Sequence, residues 1–152
     1  MLRSSINDSL KTAMKAKEAA RVSTLRLVMA ALKDRDIAAR GKGESGGISD
    51  DNILSMLQTM IRQRRDSIKM YLDGDRAELA AKEEAEIGVI EEFLPAQLSD
   101  DEIAAIAAEV IAEVGAEGIK DMGRVIGVLK ERYAGQMDFG KASGAIKKLL
   151  VP

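Results

Sequence analysis

An all-α fold is what this sequence predicts, on three observations. Aromatic residues make up only 3% of the 152 residues, and there is no Trp. Ala, Leu, Ile, Met, Glu, Lys and Arg dominate, a mixture that favours helix and supplies few strand formers. Apolar residues recur three and four positions apart over most of the length, the spacing that places them on one helical face. Two modules are expected, an N-terminal bundle of about four helices over residues 1–97 and a C-terminal three-helix module over 98–152.

The elements follow in order. Leu2, Ile6, Leu10 and Met14 define a first helix, roughly 2–16. Val22, Leu25, Val28, Met29 and Leu32 define a second, roughly 19–39. The run Gly41-Lys42-Gly43-Glu44-Ser45-Gly46-Gly47 breaks the pattern as a loop. Ser49 followed by Asp50 and Asp51 starts a third helix, because a hydroxyl caps free amides and carboxylates suit the positive dipole end. Leu54, Leu57, Ile61, Ile68 and Leu72 carry it to Gly74. Asp75 with Glu78 reads as a D-x-x-E capping box opening a fourth helix, which Leu79, Ile87, Ile90 and Leu94 extend until Pro95 stops it.

Leu94-Pro95-Ala96-Gln97-Leu98 is the expected linker, since Ser99-Asp100-Asp101-Glu102 at once supplies a fresh capping box. Beyond it, Ile103, Ile106, Val110 and Val114 line a helix that Gly115 closes. Met122, Val125, Ile126 and Leu129 line another that Gly135 closes, and Asp138 caps a last one bearing Phe139, Ile146, Leu149 and Leu150.

Composition narrows the chemistry. With no Cys and no His, thiolate nucleophiles, imidazole bases, zinc-finger ligands and a Ser/His/Asp triad are all excluded. No catalytic residue, cofactor or metal site is expected. Glu83, Glu84, Glu86, Glu91 and Glu92 read as a solvated acidic face, because a di-iron bundle would also need Glu-x-x-His pairs. Gly41-x-Gly43-x-x-Gly46 has the letters of a dinucleotide fingerprint but follows a helix rather than a strand, and reads as a loop. The N-terminus lacks the apolar core of a secretory signal, and no stretch approaches the roughly 18 apolar residues that span a bilayer. The expectation is a cytoplasmic chain with no membrane partner.

Charge is unevenly spread. Residues 1–98 carry 16 basic and 16 acidic side chains, 99–117 carry six acidic and none basic, and 118–152 carry seven basic against three acidic. Two basic groups have both a structural and a functional reading. A hairpin of the third and fourth helices centred on Gly74 would set Arg64 and Arg65 level with Glu84 and Glu83, and Arg62 level with Glu86. Arg62, Arg64 and Arg65 are thus interhelical ion pairs on one reading and contacts for a partner or phosphate on the other. Lys120, Arg124 and Lys141 lie at helix starts, where a cation opposes the dipole. They are turn-flanking surface residues on one reading and phosphate contacts on the other, with free amides at the helix starts. Lys147 and Lys148 belong to the same basic segment but suit the negative end of their helix.

The chain resembles the YqeY family, whose C-terminal part is similar to the tail domain of the B subunit of the glutamine-dependent aspartyl/glutamyl-tRNA amidotransferase. The resemblance rests on Ser23-Thr24-Leu25-Arg26, Met60 through Ile68, Glu83-Glu84-Ala85-Glu86-Ile87, Glu91 through Ser99, and Lys120-Asp121-Met122-Gly123-Arg124-Val125-Ile126-Gly127. It implies a tRNA-associated accessory protein, amidotransferase-like by kinship, since in that enzyme the tail holds tRNA while other parts release ammonia and activate the mischarged carboxyl. No Ser-Ser-Lys amidase segment and no kinase-like cradle are present, so catalysis by the isolated chain is not expected. Gln136, Met137 and Gly144 depart from the tail pattern, which often has a basic residue, Ala and Asn at these places. The alternative is a helical protein–protein adaptor without RNA binding. The expected partner is tRNA on the first reading and another protein on the second.

Overall fold

The computed structural model describes residues 1–151, and among them there are seven α-helices, one 3₁₀ turn and no strand. The helices are α1 (Leu2–Lys15), α2 (Ala19–Gly41), α3 (Asp50–Asp73), α4 (Ala77–Glu91), α5 (Asp100–Val114), α6 (Met122–Arg132) and α7 (Phe139–Leu150), with the 3₁₀ turn at Ile119–Asp121. The chain divides into two compact units, Met1–Leu94 and Pro95–Pro152.

In the first unit α3 and α4 form a tight hairpin, and α1 packs on α2. Their shared core is Ile6, Val28, Leu32, Ile53, Met56, Leu57, Met60, Ile61, Ile87 and Ile90. Removing such side chains from water is the main stabilising contribution. The Ser49 hydroxyl accepts from the Asn52 amide at 3.2 Å and starts α3. The opening of α4 differs from expectation. Asp75 has φ +58 and reverses the chain, so Arg76 becomes the residue before the helix and no side chain caps it. Glu78 instead accepts from Arg76 Nε at 2.8 Å. Helix α4 ends at Glu91, before the proline. The amides of Phe93 and Leu94 bond three residues back, at 3.1 and 3.0 Å, in line with the bias of a pre-proline residue away from helix.

The loop between α2 and α3 is fastened from within the unit. Arg3 donates to both oxygens of Asp36, at 2.6 and 3.0 Å, and the same carboxylate accepts the Ile48 amide at 2.9 Å. Gly47, at φ +83, lets the backbone pass Arg3, whose Nη2 would lie 2.7 Å from an added Cβ.

The second unit is a three-helix module around Ile103, Ala107, Val110, Val125, Leu129, Met137, Ala142, Ile146 and Leu150. Ser99 and Glu102 complete a reciprocal capping box, and Gly115 closes α5 in the left-handed conformation at φ +68. Helix α6 ends at Arg132 rather than at Gly135, whose φ of +76 instead shapes the turn into α7. Met137, one of the departures from the tail pattern, is fully buried and fills this core. Gly123 and Gly127 of α6 and Gly144 of α7 stand in helix where an added Cβ would meet nothing within 4 Å.

Candidate functional site

The arginine cluster of α3 is drawn into helix packing. The hairpin turns about Asp75, one residue later than Gly74, which moves each position on α4 two residues along. Arg64, half-buried, therefore meets Glu86 at 2.8 Å and Glu83 at 3.9 Å. Its guanidinium also donates to the Met60 carbonyl at 3.2 Å. Arg65 pairs with Glu91 at 3.3 Å, not with Glu83. Both side chains slant toward the N-termini of their antiparallel helices, and so toward each other. Arg62 falls level with Gly88 instead of Glu86, and it forms no ion pair among the described residues. Of the three arginines, Arg62 and Arg65 remain exposed.

The start of α6 is built on Asp121. Its carboxylate accepts the Glu117 and Gly118 amides, at 3.0 and 3.3 Å. These bonds, the Glu117 amide first, hold the Asp121 carboxyl below the usual carboxylate range, with the charges of Arg124 and Lys120 adding to the effect. Those two amides precede the 3₁₀ turn, and α6 itself opens at Asp121 with no side-chain cap. At the start of α7, Asp138 likewise accepts the Gly140 amide at 2.7 Å. Cationic side chains stand beside both helix starts. Lys120 is exposed and makes no ion pair among the described residues. Arg124 is exposed and touches Asp121 at 3.4 Å.

Lys141 lies elsewhere, on the shallow groove of about 470 Å³ between α5 and α7. The floor of that groove comes from Ile103, Ala104, Gly144 and Ala145, and Asp100, Lys141, Lys148 and Leu149 edge it. Lys141 reaches Asp100 at 3.6 Å, with both side chains largely in solvent. The structure thus brings Lys141 and Lys148 to one groove, whereas Lys120, Arg124 and Lys147 do not line it. The other strong pair of this unit is Arg132 with Glu113, whose two parallel bonds of 2.7 and 2.6 Å hold Glu113 below and Arg132 above their ordinary pKa ranges.

Among the described residues no three acidic side chains converge as a metal site requires, and no helix is long and apolar enough to cross a membrane. The sequence reading passed over the outer face of α2. There Arg26, Lys33 and Arg40 recur at a spacing of seven, a signal present in the sequence but masked by the even charge balance of residues 1–98.

A family model described as "Yqey-like protein" matches residues 3–150. Among individual proteins, the chain is 32% identical over 112 residues to altered inheritance of mitochondria protein 41, mitochondrial, of Lachancea thermotolerans, covering 72% of this chain and 57% of that protein. It is likewise 32% identical over 89 residues to the protein of the same name from Saccharomyces cerevisiae, covering 59% and 46% respectively. The chain spans about half the length of the curated relatives it matches. Their names place those relatives in mitochondria, which overturns the expectation of a cytoplasmic chain. Lack of a secretory core and of a spanning helix bears on secretion and membrane insertion only, and cannot tell the cytosol from the interior of an organelle.

Proposed function

The chain belongs to the YqeY family, and from that premise we propose that it is a tRNA-associated accessory protein, similar in role to the amidotransferase tail and without catalysis of its own. The observation that carries this reading is the state of Lys120, Arg124 and Lys141. All three are exposed, Lys120 is unpaired among the described residues, and the other two hold only long contacts of 3.4 and 3.6 Å. Pairs of that kind contribute little to stability and exchange readily for phosphate oxygens, which gain from release of condensed counterions. Phosphate contact here runs through these side chains, and at the start of α7 Asp138 already takes the Gly140 amide.

A salt titration of tRNA binding tests the reading. Each change among Lys120→Ala, Arg124→Ala and Lys141→Ala is expected to weaken binding irrespective of sequence and to lower the salt slope by about one. Unaltered affinity and slope in the folded triple variant would remove the assignment. The adaptor reading draws on a different observation, the α5–α7 groove, where Leu149 is 51% exposed beside a floor of small side chains. That arrangement suits a partner helix, and it predicts no binding to tRNA at any salt concentration.

A further inference from the structure

Helix α2 buries Thr24, Leu25, Val28, Leu32 and Ala39. At about 100° per residue, positions seven apart drift by only about 20°, so Arg26, Lys33 and Arg40 form one stripe away from that buried arc, with roughly 10.5 Å between successive residues. All three are exposed, and none forms an ion pair among the described residues. Arg35 and Arg62 are unpaired among the described residues too, but they stand singly, whereas these three share one stripe. Arg3, Arg21, Arg64, Arg65 and Arg76 each hold a carboxylate.

Two acidic residues of α2 could have quenched the stripe, and neither does. Asp36 lies within a turn of both Lys33 and Arg40, and the Arg40 charge helps to lower its pKa. Its oxygens, however, are held by Arg3 and by the Ile48 amide. Asp34 is exposed about 100° round the helix from Lys33. The unit is therefore electrically balanced as a whole and locally unbalanced on this face.

We propose that the outer face of α2 is a second RNA-backbone contact, in which Arg26, Lys33 and Arg40 each meet a phosphate. The inference rests on the tRNA-associated reading and adds to it a surface in the first unit. Charge complementarity favours a polyanion, and the apolar content of the face argues against a packed protein helix. Its large apolar side chains, Leu27 and Ile37, are 47% and 53% exposed but ten residues apart, with Ala30 and Asp34 between them. A packed helix needs an apolar residue at nearly every turn of the seam. Two of the three cations are Arg, whose planar fork grips phosphate with two parallel bonds.

The test is tRNA binding by the full chain as a function of salt. The triple variant Arg26→Ala, Lys33→Ala, Arg40→Ala is expected to bind tenfold or more weakly, with a salt slope lower by about two to three. Arg26→Lys with Arg40→Lys keeps the charges and should keep the slope. A control, Lys11→Ala with Lys69→Ala and Lys82→Ala, removes equal charge from exposed positions on α1, α3 and α4. If it weakens binding as much as the α2 triple, the effect is bulk charge and the proposal falls. If wild type binds and only the Lys120, Arg124, Lys141 triple loses affinity, the stripe is overturned and the tRNA reading stands. If wild type binds no tRNA, both fall, and binding to polyglutamate lost with the α2 triple would assign the face to an acidic protein.

Discussion

The two units handle charge in opposite ways. In the first, carboxylates are spent on arginines of neighbouring segments. Arg3–Asp36 joins α1 to α2, Arg21–Glu92 joins the start of α2 to the end of α4, and Arg64–Glu86 joins α3 to α4. In the second unit three carboxylates serve the backbone, Glu102 at the start of α5, Asp121 before α6 and Asp138 before α7. Arg132–Glu113 is its one tight pair. The paired arginines of the first unit thus tie helices together, whereas Arg124 and Lys141 of the second hold only long, exposed contacts.

The sharpest way to break this comparison is to unfold one side alone. Leu129→Ala empties a fully buried site in the smaller core and should cost about 3 kcal/mol. A module of that size has little stability to spare. Calorimetry should then show the C-terminal transition lost or strongly lowered while the N-terminal one stays in place. A single shared transition moving down in temperature would mean that the units are not separable modules.

Smaller, and aimed at the ion pairs, is Arg64→Ala. It strands Glu86, whose side chain is only 16% exposed, and should cost about 1–2 kcal/mol in urea denaturation. Lys141→Ala and Arg124→Ala should each stay within about 0.5 kcal/mol. Equal costs on both sides would erase the distinction between structural and available cations.

The smallest expected effect is on pH dependence. Hydrogen bonds from Arg3, then from the Ile48 amide, hold Asp36 below the ordinary carboxylate range. Its contribution is therefore fully present above the unfolded pKa of about 3.9 and lost as pH falls through the lower folded value. Asp36→Asn should lower stability by about 1 kcal/mol or less at neutral pH. The gap to wild type should close below about pH 4, and a gap that widens there would reverse the assignment.

Much of the fold was legible because its signals are local. Ser49, the Ser99–Glu102 pair and Asp138 cap the helices they were expected to cap, and Gly115 closes α5. The Asp75–Glu78 box failed because its letters also fit a turn, and a left-handed Asp75 gave the reversal one residue more than glycine alone would have. That one residue moved Arg64 from Glu84 to Glu86, since a hairpin register error is doubled across the partner helix, while Arg65 reaches Glu91 through the slant of both side chains. Availability of the candidate site was less legible. Lys120 and Asp121 are adjacent in sequence, yet whether an amide is free depends on where a carboxylate oxygen comes to rest, and no spacing rule contains that information. The α2 stripe was legible in period but hidden by summation, since a net charge taken over 98 residues cancels a face of three.

The glycines of α6 carry a further consequence. Gly123 and Gly127 occupy 2 of the 11 positions in that helix, and neither gives its place to a neighbour that would need the space. Each costs roughly 0.8–1.0 kcal/mol of helix stability relative to Ala. The first turn of α6 is thus cheaper to open than any turn of the glycine-free α5, and its amides should exchange with deuterated solvent ahead of those of α5. Arg124 rides on that first turn and Lys120 on the 3₁₀ turn before it, so the spacing between their charges can adjust to a ligand by opening that stops short of the buried Val125.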